Sequence, residues 1–385
     1  MASIKKYQDK DGNTRWAFQM YLGVDPLTGK KKNTRRRGFR TKKEAQIVLS
    51  RLELDVYKNG LPTKENYSTF CEIYELWFAQ YQHTVKESTW ATTKRMFRLH
   101  ILPIFGEYRL SKITIKDCQK AINKWFNDGL IKYHVLMNYT SKVIDYAINI
   151  GLADDNPAKR VIVPVNKKDN SRKNLNNFFD KSQLKHFFEC LNDDDNNQQA
   201  NIFFRLAAFS GMRKSEMLAL EWSDIDLDKG SISINKTQSR GDNAKILVQT
   251  PKTRRSYRTV YIDPKTCHIL KRWQIEQREY LLRFGFNINN KNNYVFSNEN
   301  NGMFSPSKPD KWLRHTLEKY DLKHVTVHSF RHTYATLAFE AGASIKAVQS
   351  QLGHSSFKTT MDIYTAVTAK QTNEATEKLA KYLDF

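Results

Sequence analysis

Four cysteines, Cys71, Cys118, Cys190 and Cys267, stand far apart without a C-x-x-C pair. That spacing offers no zinc module, and each is expected as a small buried thiol in an apolar periodic stretch. No apolar run reaches the roughly 18 residues of a membrane span. The start, Met1-Ala2-Ser3-Ile4-Lys5-Lys6, enters polar sequence directly, without the character of a signal peptide. A membrane partner is therefore not expected, and the chain reads as cytoplasmic. No G-x-x-x-x-G-K-[ST] phosphate loop occurs. The nearest approach to an acidic metal cluster is Asp193-Asp194-Asp195, flanked by Asn192, Asn196 and Asn197, which reads as a loop between helices. No metal and no cofactor are expected, and no repeat of fixed period emerges.

Acidic residues are also in short supply: 40 Asp and Glu face 63 Lys and Arg, a formal charge of +23. Such an excess calls for a polyanion, and nucleic acid fits best, because neutralising phosphates releases condensed counterions and gives strong, salt-sensitive binding. What is present is ample for folding. The 385 residues are 40% apolar and 12% aromatic, enough for two or three domains with separate cores.

Residues 1–62 open with the turn Asp11-Gly12, followed by Trp16, Phe18, Met20 and Leu22 at strict alternation, the pattern of a half-buried strand. A turn at Asp25-Pro26-Leu27-Thr28-Gly29 leads into Lys30, Lys31, Lys32, Arg35, Arg36 and Arg37, and Thr41-x-x-Glu44 forms a capping box before a helical run. A small three-stranded sheet backed by a helix is expected. Its basic run, set on a strand after a turn, is the expected DNA contact, since a β-ribbon fits a major groove.

Residues 66–163 read as helical, with Phe70, Ile73, Trp77, Phe78 and Tyr81 on one stripe and Trp90, Phe97 and Ile101 on another. Thr114-x-x-Asp117 caps a further helix, and Gly151 ends one. Lys86, Lys94, Arg95 and Arg98 are candidate phosphate contacts. The polar stretch within 164–174 is the expected linker. From 175 to 385, helices precede strands at Ser231 to Ile234, Lys245 to Gln249 and Arg258 to Ile262, and helices resume.

Four segments of the last region carry chemistry. In Gly211-Met212-Arg213-Lys214-Ser215-Glu216, Arg213 and Glu216 stand three apart and share a helix face. In His328-Ser329-Phe330-Arg331-His332, His328 and Arg331 do the same, on a helix capped by Thr326 or Ser329. Leu352-Gly353-His354-Ser355-Ser356 places a histidine after a glycine turn, and Tyr364 follows in Met361-Asp362-Ile363-Tyr364. Singly, these are a surface ion pair, a polar helix edge and a core tyrosine.

Together and in this order, they resemble the tyrosine recombinases, the phage and conjugative-transposon integrases, whose signature is Arg, Lys, His-x-x-Arg, His and Tyr. The lysine maps to Lys252 in Pro251-Lys252-Thr253, with Lys236, Lys245, Arg254 and Arg255 as neighbouring competitors. Phe330 departs from the leucine usual at that place. The resemblance covers the whole chain. It implies a multidomain α+β protein: an arm-type DNA-binding domain (1–62), a helical core-binding domain (66–163), a linker (164–174) and a mainly α catalytic domain with a small antiparallel sheet (175–385).

The implied activity is integration and excision of a mobile element, by strand cleavage, exchange and religation through a 3′-phosphotyrosyl bond to Tyr364 and a Holliday junction. Arg213 and Arg331 would grip the nonbridging oxygens bidentately, His354 would add a hydrogen bond, His328 would accept a proton and Lys252 would protonate the leaving oxygen. Glu216 would orient its neighbours. The implied partners are core and arm attachment sites in duplex DNA, three further copies in a homotetramer on paired sites, a host DNA-bending protein and an excisionase. Ala375, Leu379 and Leu383, at helical spacing, would dock on a neighbouring protomer. A noncatalytic DNA-binding protein and a type IB topoisomerase are the alternatives; the intact residue set opposes the first and two accessory domains oppose the second.

Overall fold

The computed structural model describes residues 3–9, 12–24, 31–59, 69–165, 177–193, 198–251, 253–286, 293–353 and 360–365. Lys30, Asp194, Asp195, Lys252, His354, the polar stretch expected as linker and the segment with Ala375, Leu379 and Leu383 lie outside the described residues. The chain divides into two compact units, Met1–Thr84 with Lys94–Pro164, and Val85–Thr93 with Val165–Phe385.

In the first unit, β1 (Ser3–Gln8), β2 (Thr14–Val24) and β3 (Lys31–Phe39) form an antiparallel sheet in that order. Alternation along β2 puts Trp16, Phe18, Met20 and Leu22 against Ala45, Leu49 and Leu52 of α1 (Lys42–Asn59). That helix starts where its capping residues stand: Glu44 N donates to Thr41 Oγ1 at 3.1 Å, and the Glu44 carboxylate accepts from Arg40 N at 2.9 Å.

The helical part of this unit comprises α2 (Phe70–Thr84), the end of α3 (Glu87–Met96), a π-turn at Phe97–Ile101 running into α4 (Leu102–Phe105), α5 (Ile115–Asn127) and α6 (Tyr133–Asn149). Phe70, Ile73, Trp77 and Phe78 are buried as their stripe predicts, and Tyr81 stacks on Trp77 at 4.6 Å between centroids. Thr114 and Asp117 form the predicted capping box of α5. The second stripe differs from expectation, since Trp90 is grouped with the second unit and Phe97 and Ile101 with the first.

The second unit is mainly helical. Its elements are α7 (Lys181–Asn192), α8 (Gln198–Ser210), α9 (Lys214–Met217), β4 (Ile225–Asp226), β5 (Ser231–Ile234), β6 (Thr237–Arg240), β7 (Ile246–Gln249), β8 (Arg258–Tyr261), α10 (Pro264–Leu282), α11 (Lys308–Lys319), α12 (Ser329–Glu340) and α13 (Ile345–Leu352). Residues 360–365 are helical as well. The strands form two small sheets, β4-β5-β8 and the hairpin β6-β7.

Helix α8 is buried on nearly every side, with Phe203, Phe204 and Leu206 fully enclosed, so it is the central rod on which the others pack. Phe330 belongs to this core, its ring 5.1 Å from Phe204 and 5.2 Å from Phe187. An aromatic therefore fills the place that the resemblance gives to leucine, and phenylalanines surround it. The cysteines are free, with Cys118, Cys190 and Cys267 buried. No helix of the described residues is long and apolar enough to cross a membrane.

Candidate active site

Four helix ends and one short strand assemble the site. Helix α8 stops at Gly211, whose φ of +66° suits glycine, and a Cβ there would lie 2.6 Å from Leu352 Cδ2 and 2.8 Å from Tyr334 Cδ1. The chain then extends at Arg213 (φ −76°, ψ 145°) and turns into α9, with Glu216 as its third residue. Arg213 and Glu216 therefore meet as a capping pair rather than along a helix face. Glu216 Oε2 accepts from Arg213 N at 2.9 Å, and Glu216 Oε1 accepts from Arg213 Nη1 at 2.7 Å.

Arg258, the first residue of β8, reaches the same carboxylate from the other side. Its Nη1 and Nη2 donate to Glu216 Oε1 and Oε2 at 3.0 and 2.9 Å, and its Nε donates to Gln351 O at 2.8 Å. The sequence marks Arg258 only as the start of a strand. Its role depends on a partner 42 residues away, and no local pattern announces such pairing.

Arg331, in the first turn of α12, is 3% exposed. Its Nη1 donates to Gly211 O at 2.8 Å and its Nη2 to Leu352 O at 2.6 Å, so one guanidinium meets the carbonyl ends of α8 and α13, where a cation is favoured. Arg213 Nη2 adds a bond to Gly353 O at 3.3 Å. A guanidinium has five N–H donors, so donors remain on both arginines.

Three guanidinium groups surround one carboxylate, leaving a buried positive excess. Burial works against the charge of Glu216, yet Arg258 and then Arg213 hold its pKa below the ordinary value. Burial, reinforced by the charge of Arg213, pushes Arg331 down to about 9. His328 leads into α12 and keeps an exposed edge. Crowding of its ring first, then the charges of His332, Arg331 and Arg213, push its pKa well below the usual imidazole value. The exposed edge tempers the crowding while the electrostatic push remains, so the ring is neutral at pH 7. Thr326 and Ser329 cap the start of α12 together, Thr326 N donating to Ser329 Oγ at 3.0 Å and Ser329 N to Thr326 Oγ1 at 3.2 Å.

Tyr364 is half-buried on the helical residues 360–365, with its ring edge-on to Phe339 at 5.3 Å. It packs with Ala335 and Phe339 of α12 and Val348 and Leu352 of α13. The structure thus brings Arg213, Glu216, His328 and Arg331 together and seats Tyr364 against the helices that carry Arg331 and end at Gly353. Lys252 follows Pro251 between β7 and β8, and His354 follows Gly353. Of the competing cations, Lys236 is held between Glu221 at 2.8 Å and Asp224 at 2.9 Å. Those bonds, against the opposing effect of burial, keep its pKa high and its proton bound.

The basic residues on β3 are exposed. Register pairs Arg37 with Ala17, which pairs in turn with Lys5, while Arg36 pairs with the core residue Phe18. Arg35 and Arg37 therefore share the sheet face away from α1, and Arg36 lies on the helix side near Arg51 and Asp55. Among the described residues no group of His, Cys, Asp and Glu is arranged to hold a metal ion.

Gly353 is the residue on which the cluster closes. It caps α13 at φ +65°, and a Cβ would stand 2.8 Å from Arg258 Cδ and 3.1 Å from Arg258 Nε. Gly353→Ala is expected to destabilise the fold by about 1–2 kcal/mol from the left-handed backbone alone, lowering Tm by several degrees. An unchanged melt would refute that reading of the turn.

Residues 177–371 match the phage integrase family, 69–126 the N-terminal SAM-like domain of phage integrases, and 3–56 an arm DNA-binding domain. The chain is 27% identical to the ICEBs1 integrase of Bacillus subtilis (strain 168) over 383 residues, 98% of this chain and 99% of that one. It is 29% identical over 357 residues to a XerC-like tyrosine recombinase of Caldanaerobacter subterraneus, covering 88% of this chain and 90% of the relative.

The Tn1549 transposon integrase, solved in complex with a circular intermediate DNA, shares the fold with a TM-score of 0.66 at 20% identity, over 81% of this chain and 99% of that one. A lambda integrase tetramer bound to a Holliday junction gives 0.57 at 15% identity, over 93% and 94%.

Proposed function

This chain belongs to the phage integrase family and is a tyrosine-type site-specific DNA recombinase, and we propose that it integrates and excises its mobile element through a covalent 3′-phosphotyrosyl bond to Tyr364. The observation that carries the proposal is the buried cationic cluster. Arg331 is enclosed with its donors on main-chain carbonyls, beside a carboxylate already shared by Arg213 and Arg258. A cation kept inside at that cost awaits an anion, and a scissile phosphate supplies one whose charge grows as phosphorus becomes five-coordinate.

Arg213 and Arg331 hold the nonbridging oxygens with their remaining N–H donors, and His354 adds a third contact. Glu216 and Arg258 touch no DNA in this reading; they fix the direction of Arg213. The Tyr364 nucleophile is a phenol, and its proton needs an acceptor as the oxygen attacks. Neutral His328 is one, and the negative charge of a bound phosphate relieves the cationic pressure on its ring, raising its basicity when DNA arrives. As the Tyr364 oxygen bonds to phosphorus, the bond to the 5′ oxygen breaks and Lys252 supplies its proton. The phosphotyrosyl bond keeps the energy of the phosphodiester, so a free 5′ hydroxyl can reverse the step. The direct test is whether Tyr364→Phe loses the covalent adduct on a nicked site.

The sheet of the first unit would bind separate arm sites, with Arg35 and Arg37 leading from the open face and Lys31, Lys32 and Arg36 beside them. Lys94, Arg95 and Arg98 would follow the backbone of the core site. The working form would be a homotetramer on paired sites, joined by the C-terminal segment and assisted by a DNA-bending protein and an excisionase, in the bacterial cytoplasm. Deleting residues 1–62 is expected to leave cleavage at core sites within a few-fold of the full chain while arm-site binding is lost. Arm-site affinity unchanged in a mobility-shift titration would refute this division of labour.

A further inference from the structure

The residues that lead into α3 belong to the second unit, within Val85–Thr93, and three consecutive side chains there grip the β6-β7 hairpin. Lys86 Nζ donates to Thr250 O at 2.6 Å, Thr250 Oγ1 at 2.9 Å and Pro251 O at 3.1 Å. Ser88 Oγ donates to Gln249 Oε1 at 3.0 Å. Glu87 Oε1 accepts from Asp242 N at 3.2 Å, at the opposite end of the hairpin.

An ammonium has three donors, and all three of Lys86 are used inside the unit. The phosphate-tracking role expected for Lys86 therefore gives way to an internal one. The anchor is itself fixed, because Lys86 O accepts from Thr89 N at 2.8 Å and Trp90 N at 3.2 Å in the first turn of α3. The hairpin turn is shaped to receive Glu87: a Cβ on Gly241 would collide with Glu87 Oε1 and come 2.5 Å from Leu247 Cδ1. The last acceptor in this set, Pro251 O, lies in the residue before Lys252.

We propose that Lys86, supported by Glu87 and Ser88, is a positioning residue that holds the hairpin and residues 250–251 so that Lys252 delivers its proton to the departing 5′ oxygen. This rests on reading Lys252 as the general acid. The proton leaves the Lys252 ammonium as the bond from phosphorus to the 5′ oxygen breaks and the bond to Tyr364 forms, and it returns on religation. Lys86 transfers nothing. It governs where the donor stands when the leaving group needs it.

The test uses the full chain in single-turnover cleavage of two nicked duplexes carrying the element's own core site, one with an ordinary scissile phosphate and one with sulfur replacing the bridging 5′ oxygen. A thiolate leaves without protonation, so the sulfur substrate bypasses the acid. Lys86→Met is expected to slow cleavage of the oxygen substrate roughly 10- to 100-fold, part of what a general acid contributes. It should stay within about threefold of the unmodified chain on the sulfur substrate.

Lys86→Arg, which can still donate to the same carbonyls, should recover most of the oxygen-substrate rate. The salt dependence of DNA binding should stay unchanged, whereas loss of one phosphate contact would flatten the slope by about 0.9. Equal slowing on both substrates, or a flattened slope, overturns the positioning role. Lys252→Ala serves as the reference: if sulfur fails to rescue that variant, the general-acid reading of Lys252 falls, and the proposal falls with it for a separately identifiable reason.

Discussion

Tyr364→Phe is expected to bind core-site DNA with an affinity within about twofold of the unmodified chain and to form no covalent adduct on a nicked substrate. The ring of Tyr364 packs edge-on against Phe339 and joins the cluster of Ala335, Phe339, Val348 and Leu352. Phenylalanine preserves those contacts, so the fold and the approach of DNA should be unaffected, while the only atom removed is the nucleophile. Denaturing electrophoresis of the reaction gives the readout, a band of protein joined to the 3′ end. Adduct persisting in the variant would transfer the nucleophile elsewhere and dismantle the mechanism. Tight binding with no adduct even from the unmodified chain would favour the noncatalytic alternative, and relaxation of plasmids lacking any recombination site would favour the topoisomerase.

Arg331→Lys is expected to reduce the cleavage rate by roughly 10²–10³, the usual cost of removing one preorganised donor to a developing oxyanion. Two physical effects act together. Lysine cannot reproduce the planar fork that meets Gly211 O and Leu352 O while keeping donors for phosphate. Its charge is also less secure: surroundings that bring an arginine down to about 9 would make a buried ammonium surrender its proton. Raising the pH should therefore deepen the defect in this variant, since deprotonation removes the cation the phosphate needs. Single-turnover rates of core-site cleavage between pH 6 and 9 provide the measurement. A rate within threefold of the unmodified chain would remove Arg331 from the phosphate grip.

Much of the fold could be read along the chain. Trp16, Phe18, Met20 and Leu22 alternate, and they do face a helix; Thr114 and Asp117 stand at capping distance in sequence, and they do cap. Such patterns are legible because strand and helix periods are properties of neighbouring residues. Where sequence reading erred, the cause was tertiary. Arg213 and Glu216, three apart, suggested a shared helix face, but Gly211 ends α8 in a left-handed turn and makes them a capping pair. The strands β4 and β6 gave no signal, because β4 has two residues and the four of β6, Thr-Gln-Ser-Arg, include no apolar one to alternate. Trp90 matched a helical stripe yet is grouped with the other unit.

The chemistry available to this protein is legible along the chain: a polyanionic partner from the charge excess, and a residue set that resembles the tyrosine recombinases. Both follow from residue identity and order. Which cations face inward, and what each one holds, depends on how the core closes. Arg258 joins Glu216 across 42 residues, and Lys86 reaches Thr250 across 164. Tyr364 is recognisable from the motifs around it, but its seat between α12 and α13 comes from packing that brings distant segments together. A hydrogen bond between distant residues leaves no period in a sequence, because its partners become neighbours only once the core has closed.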